Sequence, residues 1–129
     1  MPAPARDPFQ YALLRVVPRI ERGEFVNAGV IVFCRTRRYL AARTQLNRER
    51  LAALAPYADP VPIERHLAQL ERIAAGEPGA GAVAALPQSE RFHWLVAPAS
   101  TVVQPSPVHT GLCGEPAAML DHLFATLVA

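Results

Sequence analysis

Residues 17–34 read VPRIERGEFVNAGVIVFC, and this stretch decides the fold. Its second half, from Phe25 to Cys34, is apolar at nearly every position, which is typical of a strand covered on both faces. Residues 9–17 just upstream are rich in β-branched and aromatic side chains and also favour a strand. Between them, Gly23 can take the positive φ angle that a tight turn requires. The stretch therefore predicts an antiparallel hairpin whose second strand is central in a sheet.

The rest of the chain predicts a third strand, then mainly helices with one short late strand. Residues 39–44 continue the meander, and Pro105 and Pro107 restrict residues 104–113 to a loop or a sheet edge, because proline lacks the N–H that a central strand needs. A short strand is predicted at 101–103. The N-cap residues Asn47 and Asp59, together with apolar stripes, predict helices that begin near residues 47, 60, 89 and 116. We prefer a helix near residue 89 over a strand, which the alternation of Phe92, Trp94 and Val96 also fits. Strands followed by helices predict an α+β fold, with an antiparallel sheet of three to four strands and helices packed on one face.

Length and composition indicate one globular domain. The chain has 129 residues, of which 51% are hydrophobic and 19% charged. We expect a flexible tail at residues 1–8, a single domain over residues 9–129, and a second flexible segment at residues 76–82, GEPGAGA. No apolar run approaches the roughly 20 residues that span a bilayer, and the N-terminus does not resemble a signal peptide. These features favour a cytoplasmic protein with no membrane contact.

Cysteine and arginine usage restricts the class of function further. Cys34 and Cys113 are too few for a disulfide framework and are expected to be small buried side chains. All thirteen basic side chains are arginine. Residues 1–50 hold ten arginines and four acidic residues, a charge of +6 that is spread too thinly for the dense basic stripe of a nucleic-acid-binding protein. Nucleic acid is therefore an unlikely partner.

The charged segment of the hairpin is the first candidate site. It carries Arg19, Glu21, Arg22 and Glu24 around the turn. The simplest interpretation is a solvated turn with weak ion pairs, and the alternative is an arginine pair held by its glutamates against an anionic group. Asn27 belongs to the same candidate site, since an amide within an apolar strand needs a partner when it is buried. Gly29, two positions on and therefore expected on the same face, indicates a bulge or a close approach of another chain segment.

The second candidate is the segment around Ser106, His109 and Thr110. A histidine beside hydroxyl side chains, with Cys113 close by, could act as an acid or base. No nucleophile elbow or cysteine–histidine signature is present, and a metal site with His93 would require three separate segments to converge. The sequence therefore assigns no catalytic residue, no metal ligand and no cofactor, and Trp94 is expected to be a core anchor.

Two of these segments also carry a family resemblance. The run from Pro18 to Val30 and the run from Ser106 to Gly111 resemble a bacterial domain family of unknown function numbered 3037, and the resemblance extends from Phe9 to the C-terminus. It transfers no activity and no catalytic residue. It implies a partner role, because such proteins are often encoded beside a kinase-like protein.

Two functional hypotheses follow. The first is a non-enzymatic binding module that engages a protein partner, such as that kinase-like protein. The second is an enzyme or sensor for a phosphorylated or nucleotide-like small molecule, in which Arg19 and Arg22 hold the anion and His109 acts as acid or base. The second hypothesis requires the hairpin and the Ser106–Gly111 segment to meet in space.

Overall fold

The computed structural model describes residues 6–129. Within this range, five strands form one antiparallel sheet. They are β1 (Asp7–Val16), β2 (Val26–Cys34), β3 (Tyr39–Thr44), β4 (Val103–Pro105) and β5 (His109–Cys113). Strand β2 lies between β1 and β3, and both β4 and β5 pair with the other edge of β1. The α+β class and the antiparallel sheet are confirmed, and the fifth strand arises because β5 pairs with β1 where a loop or edge was predicted.

Helices cover both faces of the sheet, whereas the sequence predicted that helices would pack on one face only. The helices are α1 (Arg48–Leu54), α2 (Pro60–Ala75), α3 (Gln88–Val96) and α4 (Pro116–Leu127). One face of β2 presents Ile31 and Phe33 to a core formed with α2 and α3. The opposite face presents Val30 and Val32 to a second core formed with α4. Because β2 is apolar on both faces, a helix must pack on each face to remove its apolar surface from water.

The helix ends confirm the capping residues predicted for α1 and α2. The Asn47 side chain accepts a hydrogen bond from the Arg50 N–H at 3.0 Å, and Asp59 accepts one from the Val61 N–H at 3.0 Å. Gly76 ends α2 with a φ of 66°, the left-handed conformation that glycine adopts without steric cost.

Three predictions are corrected. Asp7 and Pro8, assigned to a flexible tail, are the first residues of β1, and residues 1–5 of that tail lie outside the described range. The segment 76–82 is packed, because Ala80 is buried and its carbonyl accepts a hydrogen bond from Gln69 Nε2 at 2.9 Å. Trp94 is 47% exposed, since Phe92 and Leu95 are the α3 residues that face the core.

The two cysteines are buried and free, as predicted. Cys34 lies on β2 and Cys113 on β5, and both belong to the core under α4. Burial raises the pKa of the Cys113 thiol. In residues 6–129 no helix has both the length and the apolar character needed to cross a bilayer.

Candidate functional site

The predicted hairpin forms, with a 3-10 turn at its tip. The turn spans Ile20–Arg22 and ends at Gly23, whose φ of 70° confirms the predicted positive angle. The Gly23 N–H donates to the Ile20 carbonyl at 3.2 Å and closes the turn. None of the three turn residues is buried, so the tip presents its charges to solvent.

The four charged side chains of the tip form two ion pairs of unequal quality. Arg22 bonds directly to Glu24, and this hydrogen bond holds the pKa of the Glu24 carboxyl below its ordinary value and raises the pKa of Arg22. The second pair is looser, with Arg19 Nε 3.8 Å from a Glu21 carboxylate oxygen. Arg22 is thus engaged within the tip, whereas Arg19 keeps donors available to another partner.

Arg19 also extends beyond the tip. Its guanidinium carbon lies 5.5 Å from the centre of the Tyr57 ring, within the range of a cation–π contact. Tyr57 follows α1 in the sequence, so this contact joins the hairpin to the α1–α2 connection.

Asn27 lies on the α4 face because of a β-bulge. The register between β1 and β2 shifts after Leu14, so that Arg15 pairs with Asn27 while Gly29 pairs with Leu14. The bulge, which Gly29 had indicated, places Asn27 under the end of α4, where its Nδ2 donates to the Leu127 carbonyl at 3.2 Å. The Asn27 Oδ1 is buried without a partner among the described residues. Asn27 therefore ties α4 to the sheet and does not point toward the hairpin tip.

Gly29 faces the opposite side of the sheet from Asn27, although simple alternation had predicted the same side. A Cβ atom at Gly29 would lie 2.9 Å from Thr44 Cγ2 and 3.1 Å from Leu14 Cδ1. The predicted close approach at Gly29 is confirmed.

Ser106 bridges the gap between β4 and β5. Its hydroxyl accepts a hydrogen bond from the Leu13 N–H at 2.8 Å and donates one to the Pro107 carbonyl at 2.9 Å. Its own N–H donates to the Leu13 carbonyl at 2.8 Å. The side chain is 3% exposed, so its hydroxyl completes the hydrogen bonding of β1 where the edge strand is interrupted.

The remaining residues of this segment do not form a catalytic group with Ser106. His109 is exposed on β5, and its ring lies against Tyr11 with 5.1 Å between ring centres. Thr110 follows it on the opposite face of the strand and is also exposed. Cys113 lies four residues farther along β5 than His109, at a separation of about 13 Å along a strand. The Ser106 hydroxyl is already bonded to backbone, so no nucleophile and base pair forms here.

The hairpin tip and His109 lie at different places along β1. His109 pairs with Tyr11, whereas the hairpin begins after Val16 at the end of the strand. The five-residue step from Tyr11 to Val16 corresponds to about 17 Å of extended chain. The structure therefore brings Arg19, Glu21, Arg22 and Glu24 together at one end of β1 and does not bring them to His109.

An apolar groove beside the hairpin is the feature that sequence reasoning missed. We call it the hairpin groove, and its volume is about 400 Å³. Its walls come from the start of the hairpin, the α1–α2 connection, α2 and the segment before β4, and its principal lining residues are Pro18, Tyr57, Ile63, His66, Val102 and Val103. A second hollow of about 320 Å³, which includes Trp94, shares His66 and Val103 with it. The two hollows therefore adjoin each other.

Exposed large side chains line these two adjoining hollows. Tyr57 is 64% exposed, Trp94 is 47% exposed and Val102 is 40% exposed. The residues come from three separate parts of the chain, so no local periodicity in the sequence marks the groove.

Comparison with known proteins identifies the family of the chain, and a search for metal ligands among the described residues found no candidate group. Within residues 6–129, no group of three or more histidine, cysteine or acidic side chains is arranged to hold a metal ion. No curated protein and no solved structure matches the chain. A family model described as "Protein of unknown function (DUF3037)" matches residues 11–128, so the chain belongs to the DUF3037 family.

Proposed function

We propose that the protein is a non-enzymatic binding module of the bacterial cytoplasm, built as one domain over residues 9–129. Its hairpin groove receives an extended segment of a partner protein, and the kinase-like protein encoded beside such genes is the first candidate. The supporting observation is the exposure of Tyr57 and Val102 in one apolar groove, with exposed Trp94 in the adjoining hollow. Aromatic side chains of this kind dominate the energetics of protein interfaces.

The groove and its margin define the chemistry of the segment that would bind. Aromatic-lined grooves accept extended proline-rich segments, because the preformed polyproline II conformation loses little conformational entropy on binding. Arg19 lies over Tyr57 at the margin of the groove and is only loosely paired with Glu21. An acidic side chain of the partner can therefore form a charge-assisted hydrogen bond with Arg19 while its apolar neighbours fill the groove.

The geometry favours binding over the small-molecule hypothesis. That alternative needs His109 beside Arg19 and Arg22, and the two sites are separated along β1. Arg22 is also neutralised by Glu24, which leaves one loosely paired arginine at the tip, and a single arginine is a weak phosphate clamp.

The test measures the affinity of the purified kinase-like protein for groove variants. We expect Tyr57→Ala and Arg19→Glu each to weaken binding about tenfold or more, as truncation of an interface hot spot does. Arg35→Glu makes the same charge change on an exposed arginine at the opposite end of β2, and Leu86→Ala truncates an exposed aliphatic side chain outside the groove. Both controls should bind like the unmodified protein. Independent elution of the two proteins at low and moderate salt, or equal losses in all four variants, would refute the proposal.

A further inference from the structure

Among residues 6–129, strand β5 forms an open edge of the sheet. It pairs with β1 on one side, and within residues 6–129 no other hydrogen bond reaches the backbone of residues 109–113. Alternate residues of a strand direct their N–H and C=O groups to opposite sides, so the outer side of β5 carries unpaired donors and acceptors.

The side chains of this edge do not prevent it from pairing with another strand. Leu112 is 59% exposed and Val108, just before the strand, is 37% exposed. They share one face with Thr110, because side chains two residues apart in a strand lie on the same side. Residues 108–113 contain no acidic residue, arginine, lysine or proline, which are the residues that usually protect an edge from pairing.

We propose that β5 pairs with β5 of a second copy of this chain, antiparallel and with the two-fold axis at Thr110. In this register Val108 lies opposite Leu112 of the partner subunit, and Thr110 lies opposite its own counterpart. Aliphatic side chains thus meet aliphatic side chains, and threonine meets threonine, on the exposed face. The pairing joins the two sheets into one continuous sheet.

The other face of the strand fits the same register. His109 lies opposite Gly111 of the partner subunit, which brings no side chain of its own to the pair. Gly111 is already required within one chain, since a Cβ there would lie 2.8 Å from Phe9 Cε1. Since the strand carries no acidic residue, arginine or lysine, two copies meet without repulsion between such side chains.

The contact is small, and the dimer is expected to be concentration-dependent. A single five-residue strand pair buries far less than the roughly 1,200 Å² of a stable interface. Because the hairpin groove lies at the other end of β1, this inference does not depend on the proposed partner binding.

Sedimentation equilibrium over a concentration series reaching the millimolar range tests the pairing. We expect the mass to rise from one chain to two, and Val108→Glu and Leu112→Arg each to weaken dimerisation at least tenfold. Leu86→Arg, an exposed aliphatic position outside β5, should leave dimerisation unchanged. The double variant Val108→Glu with Leu112→Arg places opposite charges across the two-fold axis and should dimerise more tightly than either single variant.

Three results would overturn the proposal. They are a one-chain mass at every concentration, a dimer that persists in both single variants, and a double variant no tighter than the single ones. Amide hydrogen exchange supplies a second readout, in which protection of residues 109–113 should rise with protein concentration. Protection that does not change with concentration would also contradict the proposal. If it is high, the chain covers its own edge, and if it is low, no second copy covers the edge.

Discussion

At the scale of single residues, Ser106 is a buried hydroxyl with a structural task. Replacing it by alanine removes the acceptor for the Leu13 N–H in an interior position. We expect Ser106→Ala to lower the free energy of unfolding by about 1–3 kcal/mol, the cost of an unsatisfied buried donor. Thr110→Ala is the matched control, because Thr110 is exposed in the same segment, and it should change stability by less than about 0.5 kcal/mol. Urea denaturation measures both, and equal effects would contradict the assigned role.

Gly29 supports a second prediction at this scale. A Cβ at Gly29 would lie 3.2 Å from the Arg43 carbonyl oxygen as well as against Thr44 and Leu14, so the strands must shift to admit it. Gly29→Ala should therefore cost about 1–3 kcal/mol, the usual cost of overpacking. At Gly114 no atom lies within 4 Å of an added Cβ, so thermal unfolding of Gly114→Ala should resemble that of the unmodified protein.

The buried thiol of Cys113 gives a prediction in pH. Burial raises its folded-state pKa, so the folded chain holds the thiol proton more tightly than the unfolded chain does. The resulting stability is fully present below the unfolded thiol pKa of about 8.5 and is lost as the pH rises toward the folded value. Between pH 8 and 10 the unfolding free energy of Cys113→Ala should fall less than that of the unmodified protein. A steeper fall in the variant would contradict the pKa assignment.

At the scale of elements, the end of α4 depends on Asn27. The Asn27 Nδ2 bond to the Leu127 carbonyl satisfies one of the free carbonyls at the C-terminus of the helix. Asn27→Ala should speed amide exchange in the last turn of α4 while leaving α2 unchanged. Gln104→Ala is a control, since that side chain bonds only to the nearby Thr101 carbonyl. Unchanged exchange at residues 127–129 in Asn27→Ala would show that packing alone holds the helix end.

The sequence predicted most elements because their signals are local. The apolar character of β2 on both faces and the caps of α1 and α2 are properties of neighbouring residues. Strand β5 is harder to recognise, since Pro105 and Pro107 precede it and its pairing with β1 is set by tertiary contact. The exposure of Trp94 likewise depends on which face of α3 the sheet covers, and the alternation in Phe92, Trp94 and Val96 does not reveal it.

At the scale of the whole molecule, the sequence predicted the hairpin but not the hairpin groove beside it. The groove forms only when the segments containing Pro18, Tyr57, His66 and Val102 fold together. The separation of the hairpin from His109 is also a property of the sheet, since it follows from where each segment pairs along β1. These long-range arrangements are absent from any local pattern.

The most direct test of the account is amide hydrogen exchange on the complex with the kinase-like protein. If the hairpin groove is the binding surface, complex formation should slow exchange at residues 18–25, 57–66 and 102–103. Residues 109–113 should change only with dimerisation and not with the partner. Partner-dependent protection centred on residues 106–111, with no change around the groove, would contradict the central claim.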